Sequence, residues 1–170
     1  RKLGTQIDVN AGATGIGDNK GLINRGWDSR QANSALYTSP KLGGGFTIAA
    51  AYIAGEDKSA DGASGTAAQI NSDGWDLGAT YDNGPALIAL TYGTAKDRDV
   101  ANGREKNTRL AGAYNFGQGT IRAMWDSNKL EVTGFSTKQN VWGLGGTFNV
   151  AGNGKLLAQL ATSYTDTTPS

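Results

Sequence analysis

The stretch Gly74 to Gly93, GWDLGATYDNGPALIALTYG, restricts the fold more than any other part of the chain. Trp75, Leu77, Ala79 and Tyr81 alternate with Asp76, Gly78, Thr80 and Asp82. After Asn83-Gly84-Pro85, Ala86, Ile88, Leu90 and Tyr92 alternate with Leu87, Ala89, Thr91 and Gly93. A period of two sends successive side chains to opposite faces of a strand, so the stretch reads as a hairpin with one apolar face. That face carries rings towards its ends, at Trp75, Tyr81 and Tyr92, with small or aliphatic residues between them. A packed core gives no reason to sort aromatics by height.

Composition narrows what lies behind the alternation. Only 30 of the 170 residues are Leu, Ile, Val or Phe, too few for a large oily core. A disordered chain would combine that deficit with high net charge, yet the formal charge here is +1, with 26 Gly and ten Trp and Tyr. Many short strands and turns around a polar interior fit this mixture. Cysteine and histidine are both absent, which removes disulfides, thiol nucleophiles and the commonest general base and metal ligand. No cofactor or metal is expected, and near-neutral charge leaves no footprint for nucleic acid. No apolar run reaches the roughly 18 residues of a membrane helix, a test that spanning β-strands escape. The chain opens on Arg-Lys-Leu and stops after Thr-Thr-Pro-Ser, so both ends read as cut.

The rest of the chain continues the hairpin pattern. Strands are expected over Gln31–Thr38, Phe46–Ala54, the two arms of the opening stretch, Thr108–Phe116, Thr120–Asp126, Lys138–Asn149 and Lys155–Thr165. Short turns at 39–45, 82–85, 117–119 and 151–154 alternate with longer connections at 55–73, 96–106 and 127–137. The expected architecture is all-β, an antiparallel up-and-down meander of about eight strands with its long loops at one end. Transmembrane barrels have this asymmetry, together with an outer apolar band flanked by aromatic girdles. Near the short turns lie Tyr37, Phe46, Tyr81, Tyr114, Phe116 and Phe148; near the long loops lie Tyr52, Trp75, Tyr92, Trp125, Trp142 and Tyr164. Phe46 to Tyr52, Trp75 to Tyr81 and Trp142 to Phe148 are each six apart, which keeps both rings on one face and separates them by about 20 Å along the strand. Allowing for strand tilt, that spans the order of a bilayer's apolar band. A soluble β-sandwich would account for neither the two heights nor the loop asymmetry.

If the rings face out, Arg109, Ala111, Ala113 and Asn115 face in, as do Thr120, Arg122, Met124 and Asp126. A charge facing lipid at mid-depth costs about 2–4 kcal/mol, whereas a watery lumen tolerates it. Two roles stay open for the arginines: pairing with Asp76, Asp82 or Asp126, or lining a constriction that favours anions.

RQANSALYTSPKLGGGFTIAAAY (Arg30–Tyr52), TYDNGPALIALTYG (Thr80–Gly93) and LAGAYNFGQGTIRAMW (Leu110–Trp125) resemble the Gram-negative general porins, particularly those of β-proteobacteria. The pattern N-S-x-x-Y-x-S-P before a glycine turn and an aromatic, the Y-D-N-G-P turn and the Y-N-F-G segment occur there in this order, and the resemblance runs from Arg1 to about Thr165. It implies a sixteen-stranded trimeric porin in the bacterial outer membrane, with about eight strands in this chain. Residues 1–28 would then be the end of a strand followed by an inward-folding constriction loop, and residues 29–170 the antiparallel meander of the wall. By position, Lys2 and Arg30 join Arg109 and Arg122 as expected pore-lining bases, and Asp8 and Asp18 are the acids expected on the loop. Thr5 stands where related porins often carry Arg, which weakens the expectation of strong anion preference. The strands should also leave edges for the remainder of the barrel to pair.

The expected function is passive diffusion of small hydrophilic solutes through a water-filled pore, without catalysis. The implied partners are two further copies of the chain, outer-membrane lipid including lipopolysaccharide, and the solutes or ions themselves. A small closed barrel serving as adhesin or anchor would need bulkier inward residues than Gly78, Thr80, Ala89, Ala111 and Gly145. A glycosidase-like pairing of Asp76 with Asp82 fails on distance, because the two sit six apart on one strand.

Overall fold

The computed structural model describes residues 34–54, 73–96, 103–150 and 154–169. They form one eight-stranded sheet: β1 (Ser34–Thr38), β2 (Phe46–Ile53), β3 (Gly74–Asn83), β4 (Ala86–Lys96), β5 (Arg104–Asn115), β6 (Gly119–Val132), β7 (Phe135–Val150) and β8 (Gly154–Pro169). Every strand pairs antiparallel with its neighbour in sequence, so the sheet is an up-and-down meander ordered β1 to β8. Among the described residues the only helical piece is a 3₁₀ turn at Gly43–Gly45. Also among them, β1 pairs only with β2 and β8 only with β7, so the sheet is open at both edges.

The short turns lie where glycine supplies the backbone. Gly84 opens the two-residue connection from β3 to β4 with φ of 59°, the sign that a type II′ hairpin needs at its first central residue. Gly45 sits at φ 93°, and a Cβ there would come within 2.5 Å of the Asp82 carbonyl oxygen. This close approach ties the β1–β2 turn to the end of β3. Ser39 closes the same turn, donating its N–H to the Ile48 carbonyl at 2.8 Å while its Oγ accepts the Ile48 N–H at 2.9 Å.

Strand length rises across the sheet, from 8 residues in β2 to 16 in β7 and β8. A bilayer-spanning strand needs only about 9–11. The surplus falls at the end of the sheet expected to carry long loops, and it corrects two expected connections. The segment 127–137 is strand on both sides of a two-residue turn at Thr133-Gly134, and β5 begins at Arg104, inside the expected loop 96–106. Polar side chains hold this extension. Lys106 Nζ and Lys129 Nζ both donate to Glu131, at 3.0 and 2.6 Å, and Ser136 Oγ meets Thr168 Oγ1 at 3.0 Å. The long-loop end therefore includes one tight hairpin. The expected strand over 31–38 is seen as β1 from Ser34, its first three residues lying outside the described set.

Burial follows the alternation but inverts the rule for a soluble protein. One face of the sheet exposes its large apolar side chains, among them Ile48, Leu77, Leu90, Leu110, Leu144 and Leu160, the last 71% exposed. Across β3 to β7 the opposite face is largely buried and mostly small or polar, while at the sheet edges Leu36 and Leu157 are exposed on it. Ala89, Ala111, Met124 and Val141 form its apolar cluster, with Leu87 against them, and Ile53 and Ala95 form a second one.

Candidate functional site

The register turns the buried face into horizontal rows. Thr80, Ala89, Ala111, Met124, Gly143 and Ala161 make one row across β3 to β8. One step towards the long-loop end lie Gly78, Thr91, Arg109, Asp126 and Val141, and the next row holds Asp76, Gly93, Asn107 and Asn128. Asp76, Thr91, Asn107, Arg109, Asp126 and Asn128 are all buried, so two adjacent rows form a polar belt above a belt of small apolar residues.

Asp126 is the hub of the polar belt. Its carboxylate accepts hydrogen bonds from Arg109 Nε, from Asn128 Nδ2 and from Asn107 Nδ2, the last at 3.1 Å to one oxygen. Asn107 Nδ2 also reaches Asn128 Oδ1 at 2.7 Å. Four side chains from two strands thus share one buried network, and Arg109 and Asp126 form an ion pair whose side chains are 4% and 0% exposed. Buried charge is tolerable when it is paired and its remaining donors are satisfied. Both oxygens of the carboxylate accept from these donors, and among the described residues no group of three acids could hold a metal.

The other expected wall residues are distributed differently. Arg122 shares the face of Arg109 but stands two rows below Asp126, in line with Leu87, Ala113 and Gly145, about 13 Å along the strand. It is half-buried, and its Nη1 is buried without an acceptor among the described residues. Asp82 lies exposed at the short-turn end, 3.5 Å from Lys41 Nζ, far from buried Asp76. Lys2, Arg30, Asp8 and Asp18 lie outside the described residues. Asn107, Asn128 and Glu105 complete the polar face and were not anticipated. Only the register aligns the two amides with Asp126, and Glu105 lay in an expected loop.

On the opposite face the rings pair across strands at two heights. Phe46 meets Tyr81 at a centroid distance of 5.0 Å, and Phe116 meets Phe148 at 5.7 Å, both at the short-turn end. Trp75 meets Tyr92 at 5.5 Å and Trp125 meets Trp142 at 6.1 Å, towards the other end. Tyr52 stands directly opposite Trp75. Tyr37, Tyr114 and Tyr164 are exposed on their own strands. Between the two levels lie Ile48, Ala50, Leu77, Ala79, Leu144 and Gly146.

No curated protein matches the sequence. Among solved structures, the anion-selective porin from Comamonas acidovorans shares the fold with a TM-score of 0.63 at 24% identity, over 82% of this chain. The match covers 42% of that porin, so this chain spans less than half its length. OmpTdeltaL8, a loop L8 deletion mutant of the Vibrio cholerae outer membrane protein OmpT, gives a TM-score of 0.45 at 20% identity, covering 79% of this chain and 57% of that one. Residues 2–169 match the Gram-negative porin family, which covers nearly the whole sequence. The chain belongs to the Gram-negative porins, β-barrel proteins of the bacterial outer membrane.

Proposed function

We propose that the full-length protein is a homotrimeric channel for passive diffusion of small hydrophilic solutes, with no catalytic step. The observation that carries this reading is the inversion of the sheet. Aliphatic side chains between two levels of paired rings are exposed on one face, and small residues and hydrogen-bonded charges occupy the other. Such a wall suits lipid outside and water inside. Residues 1–28 are proposed to form the constriction, with Asp8 and Asp18 facing basic residues of the wall.

The resemblance to the anion-selective porin from Comamonas acidovorans supports a preference for anions. Within the described wall that preference is assigned to Arg122 rather than Arg109, because Asp126 pairs with Arg109. Lys2 and Arg30 are proposed to add to it. The test is single-channel recording of the full-length protein in planar bilayers under a salt gradient. Step conductance with an anion-directed reversal potential is expected, and Arg122→Gln should move that potential towards zero more than Arg109→Gln does. A folded trimer without step conductance would reject the diffusion reading. Cation preference in the wild type would reject only the basic-residue assignment.

A further inference from the structure

The two short turns that contain asparagine treat it in opposite ways. Asn83, Asn107, Asn115, Asn128, Asn140 and Asn149 are the asparagines of the described residues, and only Asn83 is followed by glycine. It ends β3 at the Gly84-Pro85 turn, and all three residues are exposed. Its Nδ2 donates to the Tyr81 hydroxyl at 3.3 Å, the long end of the hydrogen-bond range. The next backbone amide, that of Gly84, donates to no backbone carbonyl among the described residues. No side chain shields it, and even a Cβ built on Gly84 would meet nothing within 4 Å.

Asn115, at the turn from β5 to β6, is the counter-example. Its Oδ1 accepts the Gly117 N–H at 2.9 Å, which holds the side chain in place. The amide that follows it, that of Phe116, donates to the Gly119 carbonyl at 3.0 Å. Phe116 also carries a ring, packed 5.7 Å from that of Phe148. Asn107, Asn128 and Asn140 lie inside strands, the first two buried. Among these residues Asn83 alone therefore combines an exposed amide side chain with a following backbone nitrogen that is unbonded and unhindered. Glycine adds the backbone freedom that a local ring closure needs.

We propose that Asn83 is a site of spontaneous deamidation, in which the Gly84 backbone nitrogen displaces the side-chain amide. The Gly84 amide loses its proton to hydroxide, and its nitrogen bonds to Cγ of Asn83. The Cγ–Nδ2 bond breaks, Nδ2 takes a proton from water and leaves as ammonia, and a five-membered succinimide remains. Water then opens the ring: cleavage of the new Cγ–N bond gives aspartate, and cleavage of the original backbone C–N bond gives isoaspartate. One water is consumed and one ammonia released, with no change of oxidation state. The product places a new carboxylate at the short-turn end, which in outer-membrane barrels faces the periplasm. It stands next to Asp82, itself 3.5 Å from Lys41 Nζ, and deprives Tyr81 of the Nδ2 donor. Isoaspartate also adds a backbone carbon at the position paired with Ala86. The turn thus records the age of each copy of the protein, whether or not that protein conducts.

The experiment incubates the full-length protein, folded in detergent, at neutral and mildly alkaline pH and maps its asparagines by mass spectrometry of proteolytic peptides. Conversion at Asn83 should accumulate with time, yield isoaspartate as well as aspartate, and rise in proportion to hydroxide concentration. Asn115 and Asn140 should stay unconverted over the same period. So should residue 83 in Asn83→Gln, whose longer side chain would have to close a larger ring. Gly84→Ala should slow conversion several-fold, because its methyl group crowds the attacking nitrogen and narrows the backbone. No more conversion at Asn83 than at Asn115 overturns the site. Aspartate without isoaspartate overturns the succinimide route, as does an unchanged rate in Gly84→Ala. Conversion confined to protein first unfolded in urea overturns the proposal too, since the folded turn would then protect its own asparagine.

Discussion

Arg109 and Leu110 are neighbours in the chain and occupy opposite environments. Arg109 is 3% exposed within a network of carboxylate and amides, whereas Leu110 is 45% exposed beside other aliphatics. The burial half of the contrast repeats at Val141, fully buried, and Trp142, exposed; Trp125, beside fully buried Asp126, is half-buried. In a soluble sheet the exposed member of each pair would be polar, because an apolar patch of this extent facing water favours association. Here the face that needs an oily surroundings is the outer one, and the face rich in hydrogen-bonding groups is turned away from it. The chain is therefore patterned for two solvents separated by one layer of backbone. A single-residue shift in register would exchange them.

The largest expected effect tests the inner face. Asp126→Ala removes the carboxylate that pairs with Arg109 and accepts from Asn107 and Asn128. Breaking a buried pair from one side costs about 3–5 kcal/mol, much of it from the stranded charge. Urea unfolding of the full-length protein in phospholipid vesicles should show a loss of that size. Arg109→Leu/Asp126→Leu should recover most of it, since apolar replacement of both partners removes the stranded charge. A loss below about 1 kcal/mol for the single variant would mean that water reaches the pair and solvates the arginine.

The legible and illegible parts of the fold divide on the same contrast. Alternation at 75–81 and 86–92 exposed the hairpin, because one face of it is apolar and the other is not. The six-residue spacing of Phe46 with Tyr52 and Trp142 with Phe148 exposed the two ring levels, which need only parity to be seen. Beyond the rings both faces become polar, so Asn128, Lys129, Leu130 and Glu131 give no usable period and read as loop. The structure makes them strand by pairing them with β5 and β7, and the cross-strand bond from Lys106 to Glu131 joins partners that sequence order alone does not name. The amide network failed to register for a related reason. Asn107 and Asn128 are ordinary loop-compatible residues until the pairing of β5 with β6 sets them side by side.

The next effect sets the two faces against each other at adjacent residues. Leu160 on β8 pairs with Leu144 on the exposed apolar face, between the two ring levels, and Gln159 pairs with Gly145 on the opposite face. Leu160→Arg should destabilise the vesicle-inserted protein by about 2–4 kcal/mol. Gln159→Arg should change stability by less than about 1 kcal/mol and instead move the reversal potential towards anions. The same unfolding titration and the same bilayer recording decide it. Equal penalties for both variants would dissolve the distinction between the faces, and a larger penalty at Gln159 would reverse it.

The smallest effect lies where the two faces meet and neither environment applies. Gly84 turns β3 into β4 with φ of 59°, and a Cβ built there meets nothing within 4 Å. Gly84→Ala therefore removes no packing and introduces no clash; it asks an L-residue to adopt a positive φ, at about 1–2 kcal/mol. Because the turn sets the register of β3 against β4, the cost has two possible outlets. If the β3–β4 pairing of Trp75 with Thr94 and Tyr81 with Ile88 is held by its faces, stability falls by that amount and conductance is unchanged. If the turn alone held the register, β3 would slip by one residue against β4, turning Asp76 towards lipid, and the protein would fail to insert. The first outcome is expected, since a slip would also expose Asp82 and Thr80 to the bilayer, at a cost far above the strain that it relieves. Unfolding titrations and step conductance of the same variant distinguish the two.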